Sequence, residues 1–233
     1  MDHHWITLHR IGYAAPRHRD DVLALPPAPA EVWRLCVDMR LDETGLPMPA
    51  SDAWGALGIY ADEASARAVF DAPEAHIPCL DGAVTAWHAL AVPVSHRGTV
   101  NWRGTAETDA ALRCGTAEGP LAVVTTAGYA APPELKRVQR FMAGIADVLS
   151  FYAGLEGNRQ RATFNGGPVD GRDGFTLTLW QDRAAMMAAA YRSGTHKTIM
   201  EAHEAEPMFD RSSWTRLALR EARGDWDGAP LAA

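Results

Sequence analysis

The chain has 233 residues, of which 47% are hydrophobic and 22% charged, the balance of an ordinary globular protein. A formal net charge of −7, with no run of Lys and Arg, argues against a grip on nucleic-acid phosphates. No apolar run approaches the roughly 18 residues of a membrane span, and Met1-Asp2-His3-His4-Trp5 lacks the basic and apolar regions of a signal peptide. Cys36, Cys79 and Cys114 form no CxxC pair and are odd in number, so reduced thiols in a cytoplasmic protein are expected.

Trp5 to Tyr13 reads as a first strand that Pro16 ends. Asp20 to Leu25 predicts one or two helical turns before Pro26-Pro27-Ala28-Pro29, which cannot be helix interior. Glu31 to Val37 is too short for periodicity to choose between helix and strand. Asp42 to Ser51, with Gly45, Pro47 and Pro49, is expected as a loop. Strand 54–60, helix 62–72 and strand 83–94 follow, and residues 95–119, with Gly98, Gly104, Gly115 and Gly119, read as a connection.

A second series starts with the strand Leu121 to Thr126. The helix after it carries Leu135, Val138, Met142, Ile145, Leu149 and Tyr152 on one face, with Lys136, Arg137, Arg140 and Asp147 off that face. A strand over Arg159 to Phe164 and a Gly/Pro/Asp turn over 165–174 precede the stretch that organises the chain. In it, Phe175, Leu177 and Leu179 alternate with Thr176, Thr178 and Trp180, a period of two that predicts a strand. Asp182 stands at a helix N-cap position ahead of Arg183 to Arg192, Ser193-Gly194 interrupts the helix, and Thr195 restarts it. The last strand is expected over Trp214 to Arg220, with a frayed tail from Gly224.

The two series repeat one another. Asp62 to His76 has the spacing of Asp182 to His196, and Gly12-Tyr13-Ala14-Ala15-Pro16 recurs as Gly128-Tyr129-Ala130-Ala131-Pro132. Trp87 to Val92 likewise parallels Trp214 to Leu219. Matched blocks in one order imply duplication of a small unit. Each unit reads β-α-β-β-α-β, which predicts an α+β chain of two tandem ferredoxin-like repeats, bounded at 1–112 and 113–233. Two such units can pair their sheets face to face, with helices outside and a cavity between.

His196, Ile199, Met200 and His203 share one helical face, so a histidine points into apolar surroundings. Residue statistics favour a hydrogen-bonded core histidine at such a position. His76, its duplicate, is bracketed by Pro73 and Pro78 and is expected at a loop end. No GxSxG, phosphate loop, GxGxxG or zinc-type His spacing appears, which leaves serine-hydrolase, nucleotide-enzyme and zinc-hydrolase readings without support.

The stretch TLTLWQDRAAMMAAAYRSGTHKTIM resembles the C-terminal half of the spheroidene monooxygenase-like proteins. AWHALAVPVSHRGTVNWRG resembles the close of their N-terminal half, and GPLAVVTTAGYAAP the strand that opens their second half. The resemblance covers roughly residues 5 to 220; the segment Glu206-Pro207-Met208-Phe209-Asp210-Arg211 departs from the family pattern.

The resemblance implies a dimeric α+β barrel related to chlorite dismutase and aldoxime dehydratase, with haem b in the C-terminal half and a helical histidine as ligand to the iron. Carried onto this chain, that ligand is His196, with His203 the second choice. Trp180, Met186, Met187, Ile199 and Met200 are the expected walls, and Arg192, Lys197, Arg159 and Arg161 the candidate partners of the propionates. The implied activity is a haem-dependent, monooxygenase-like step on a small or apolar molecule by a homodimer. Two alternatives remain open: a cofactor-free monooxygenase or isomerase on the same barrel, and a protein that binds haem or an apolar ligand without turnover.

Overall fold

The computed structural model describes residues 4–25, 28–44, 46–98, 118–165, 173–192 and 194–231. The first series folds as β1 (Trp5–Gly12), α1 (Arg19–Leu23), β2 (Val32–Leu41), β3 (Pro47–Tyr60), α2 (Glu63–Asp71), α3 (Pro73–His76), a 3₁₀ turn and β4 (Thr85–Gly98). The second gives β5 (Leu121–Gly128), α4 (Leu135–Ala153), β6 (Asn158–Asn165), β7 (Asp173–Trp180), α5 (Arg183–Arg192), α6 (Gly194–Ala205) and β8 (Arg211–Trp226). A two-residue β9 (Ala229–Pro230) folds back on the end of β8.

Each half is a ferredoxin-like unit, and the pairing scheme repeats. In the first, β1 lies between β3 and β4, and β2 flanks β3; in the second, β5 lies between β7 and β8, and β6 flanks β7. Asp62 and Asp182 cap corresponding helices, each carboxylate accepting the backbone N–H three residues on at 2.8 Å, from Ser65 and Ala185. The halves join twice, β2 to β6 and β4 to β8, so that eight antiparallel strands close into one barrel. The dimeric α+β barrel architecture is thus completed inside a single chain. The expected boundary at 112/113 lies outside the described residues.

Period-two alternation assigns the faces. Ile6 and Leu8 of β1, Leu177 and Leu179 of β7, and Leu217 of β8 point inward into a core shared by both halves. Trp87 and Trp226 pack there with their rings tilted 57° to each other and centroids 5.1 Å apart. Phe164 fills the space opposite Gly55, where a Cβ would stand 2.6 Å from its ring. The interior between the sheets is therefore packed side chains, not the cavity the sequence led us to expect: aromatic volume takes the room.

Other expectations are corrected at strand ends. Glu31 to Val37, undecided by pattern, enters β2. The segment expected as a loop over Asp42–Ser51 instead extends β3 back to Pro47. That extension pairs with β2 alone, because β1 reaches only to Ala53, so Pro49 sits where its missing N–H costs no ladder bond. β4 continues to Gly98 and β8 from Arg211 to Trp226, since each supplies the other's partner along the closure. The tail expected to fray is held: Trp226 is 1% exposed, and Trp87 Nε1 donates to the Leu231 carbonyl at 3.0 Å. No described helix is long and apolar enough to cross a membrane.

Candidate ligand cavity and active site

The main cavity, about 610 Å³, lies on the outer face of the C-terminal sheet, under α4 and α6. The sequence builds its floor directly. While Leu177 and Leu179 enter the barrel, the alternating Thr176, Thr178 and Trp180 face outward, as do Val123, Thr125 and Ala127 of β5. Cross-strand pairing sets Thr163 beside Thr176 and Thr176 beside Thr125, a row of three hydroxyls across β6, β7 and β5. Thr163 and Thr176 are 3.3 Å apart, and Thr178 Oγ1 accepts the Trp180 indole N–H at 2.9 Å.

The roof is the predicted face of α4. Val138, Met142, Ile145, Leu149 and Tyr152 all line the cavity, whereas Leu135, on the same stripe, stands 62% exposed at the start of the helix. Beside α4 lies α6, brought close at Gly144, where an added Cβ would lie 3.2 Å from Ile199 Cδ1. Arg137 fastens the chain beyond α6 to α4. Its guanidinium donates to Asp210 at 2.7 Å and to the Pro207 carbonyl at 3.0 Å, and Arg140 pairs with Glu206. Aromatic rings close both ends, Phe141 and Phe209 at one (centroids 5.2 Å) and Tyr152 against Trp180 at the other (4.9 Å).

His196 lines this cavity, together with Trp180, Met186, Ile199 and Met200. It is half-buried, and desolvation lowers its pKa, so the ring is neutral at pH 7. Neither ring nitrogen has a hydrogen-bond partner among the described residues, so the carbonyl-bonded core histidine favoured by residue statistics is not what the fold contains. His203 is turned off the cavity. Its ring stacks on Phe209 at 3.8 Å, and its Nδ1 accepts the Met208 N–H at 3.0 Å.

Of the other expected residues, Met187 does not line the cavity; it packs, partly buried, against the cluster around Trp180 and Tyr152. The Arg192 side chain and Ser193 lie outside the described residues. Lys197 reaches the rim but is shared with Glu201 at 3.6 Å. Arg159 does not line the cavity. Arg161 faces a separate polar recess of about 440 Å³. In that recess Arg10 binds Asp38 at 3.2 Å and Asp227 at 3.1 Å, an arrangement that plugs the barrel end with ion pairs.

Pattern reading missed the two arginines at the main cavity's rim, Arg97 and Arg216. Arg216 was legible, since it follows Trp214 by two along a strand and must share its face. Arg97 fell in a segment read as a connection. The arrangement as a whole is an apolar enclosure with a hydroxyl floor, one neutral imidazole in its wall and cations at its rim, an environment that can hold an apolar molecule with polar groups.

No protein-family model matches the chain, and no curated protein matches it. Solved structures do. Aldoxime dehydratase in complex with butyraldoxime is 9% identical over 93% of this chain and 79% of that one, with a TM-score of 0.54. A second aldoxime dehydratase structure is 9% identical over 93% and 81%, with a TM-score of 0.53. A Lactobacillus acidophilus protein described as a monooxygenase covers 100% of both chains at 7% identity and a TM-score of 0.42. At 9% identity and TM-scores above 0.5, the two aldoxime dehydratase structures establish the fold, a dimeric α+β barrel of ferredoxin-like halves, and nothing finer.

Proposed function

We propose that the chain is a haem-dependent oxidoreductase of monooxygenase type, acting as a homodimer on a small or apolar molecule, with His196 as the protein ligand to haem b iron. The observation that carries this reading is a neutral imidazole, free at both nitrogens among the described residues, in the wall of an apolar cavity. The residues fit the group. At about 610 Å³ the cavity lies within the 300–1,000 Å³ of cofactor and ligand sites. Ile199 and Met200 flank the histidine by one helical turn, and cations stand at the rim.

Haem held by one imidazole supplies iron with an open position for oxygen chemistry. The chain's own part is separable from that. Desolvation keeps His196 unprotonated and its lone pair available, α6 fixes the height of the ring above the sheet, and α4 excludes water over the apolar roof. The Thr125–Thr176–Thr163 row offers hydroxyls to the oxygen atoms of a bound molecule.

One observation favours a second reading. A histidine ligand ordinarily has its other nitrogen held by a carbonyl or carboxylate, and His196 has no such partner among the described residues. In that reading the same cavity holds substrate alone, converted without a cofactor or bound without turnover.

Haem titration of the wild type and of His196→Ala separates these. A Soret shift on binding is expected for the wild type, with affinity reduced at least about tenfold in the variant at unchanged circular dichroism. Full haem occupancy and an unaltered spectrum in the variant would remove His196 from the role. A wild type that takes up no haem leaves the cofactor-free reading.

A further inference from the structure

We propose that Arg97 and Arg216 form an anion subsite at the mouth of the main cavity, so that its ligand is an apolar body carrying a carboxylate. This deepens the reading of that cavity as the ligand site. The two arginines come from different halves of the chain and meet only because the barrel closes. β4 and β8 pair with Ser95 opposite Arg216 and Arg97 opposite Trp214, so the arginines are diagonal neighbours on one face. Diagonal pairs in an antiparallel sheet stand about 7–8 Å apart, within reach of long side chains. Two guanidinium groups can therefore converge on a single carboxylate between them.

Their surroundings contrast with those of three cations on α4 and α6. Arg137 is satisfied by Asp210, Arg140 by Glu206 and Lys197 by Glu201. Arg216 donates only to the Tyr191 hydroxyl at 3.2 Å, and no described carboxylate pairs with Arg97 or Arg216. Two neighbouring like charges without a counter-ion among the described residues repel, in a chain whose net charge is −7. An anion between them removes that repulsion and gains charge-assisted hydrogen bonds. The subsite also lies on the solvent side, since Arg97 and Tyr191 are exposed, whereas Trp180 and Met186 inside are buried. A ligand would enter apolar end first and leave its charged head at the rim.

The carboxylate could belong to a haem propionate or to an apolar acid as substrate, and the test uses both sources. Haem b and its dimethyl ester are titrated by absorbance. Laurate and dodecanol are titrated by displacement of a fluorescent apolar probe. Wild type, Arg97→Gln, Arg216→Gln and the double variant are compared in the full chain. The double variant is expected to weaken the carboxylate-bearing member of at least one pair by at least about tenfold and leave its neutral partner unchanged. The pair that responds names the source.

Equal losses for charged and neutral members, no loss for either acid, or no binding of either acid by the wild type would overturn the subsite. Haem binding that depends on His196, with neither haem nor laurate sensitive to the arginines, would sink the subsite and keep the haem reading. Arginine-dependent laurate binding in a protein that rejects haem would do the reverse.

Discussion

His9 and His88 are buried side by side under the helices of the N-terminal half, their Nδ1 atoms 2.8 Å apart, so one ring donates to the other. Burial, and then the neighbouring His88, hold His9 well below the usual imidazole range. Burial, and then Arg223, push His88 down to about 4, against a smaller opposing pull from Glu74. A lowered histidine pKa in the fold means that the unfolded chain takes up protons first. The stability these groups carry is therefore complete above about pH 6.5 and declines as the pH falls toward about 4. His196 and His203 act in the same direction. Urea midpoints at pH 7, 6 and 5 are expected to fall, each buried histidine adding on the order of 1 kcal/mol per pH unit. His88→Gln should flatten the slope, and an unaltered slope in that variant would count against the pair. The same scale explains which site residues pattern could find: His196, Ile199 and Met200 lie one turn apart on a single helix, so spacing alone groups them.

The element that sets the cavity's height is α6, and Gly144 sets α6. A Cβ there meets Ile199 at 3.2 Å, so the two helices approach as closely as a missing side chain allows. Gly144→Leu is expected to keep or raise helix content, since glycine costs about 1 kcal/mol in a helix interior. It should also push Ile199 and His196 outward and fill the roof. Affinity for an apolar probe should drop by about tenfold or more, as about 1.4 kcal/mol of lost burial is one decade. Retained affinity would mean that α6 does not govern the cavity. The helix itself was legible in the sequence, but its distance from α4 was not, because a glycine's silence says nothing about what faces it.

At the scale of the molecule, barrel closure governs assembly. Every strand of the eight has a neighbour on both sides over at least part of its length, so the edges left for a second copy are short: the β3 extension and the parts of β2 and β6 beyond their two-residue seam. Helix surfaces offer a second place for contact, where Leu135 and Tyr191 are each 62% exposed. Light scattering at micromolar concentration is expected to give twice the 25.2 kDa of one chain, and a single-chain mass would overturn the homodimer.

The sequence by itself determined what depends on local periodicity. The alternation of Phe175 to Trp180 fixed a strand with two usable faces, Asp62 and Asp182 announced their helices, and the repeated blocks announced two like units. Tertiary structure alone decided what depends on strands far apart in the chain. It extended β3, β4 and β8 beyond their patterned cores, because a strand ends where its partner's hydrogen bonds end. It moved the cavity from the barrel's interior to the outer face of one sheet, because Trp87, Phe164 and Trp226 fill the interior. It also brought Arg97 beside Arg216, since only closure of β4 on β8 makes residues so distant in sequence neighbours on one face.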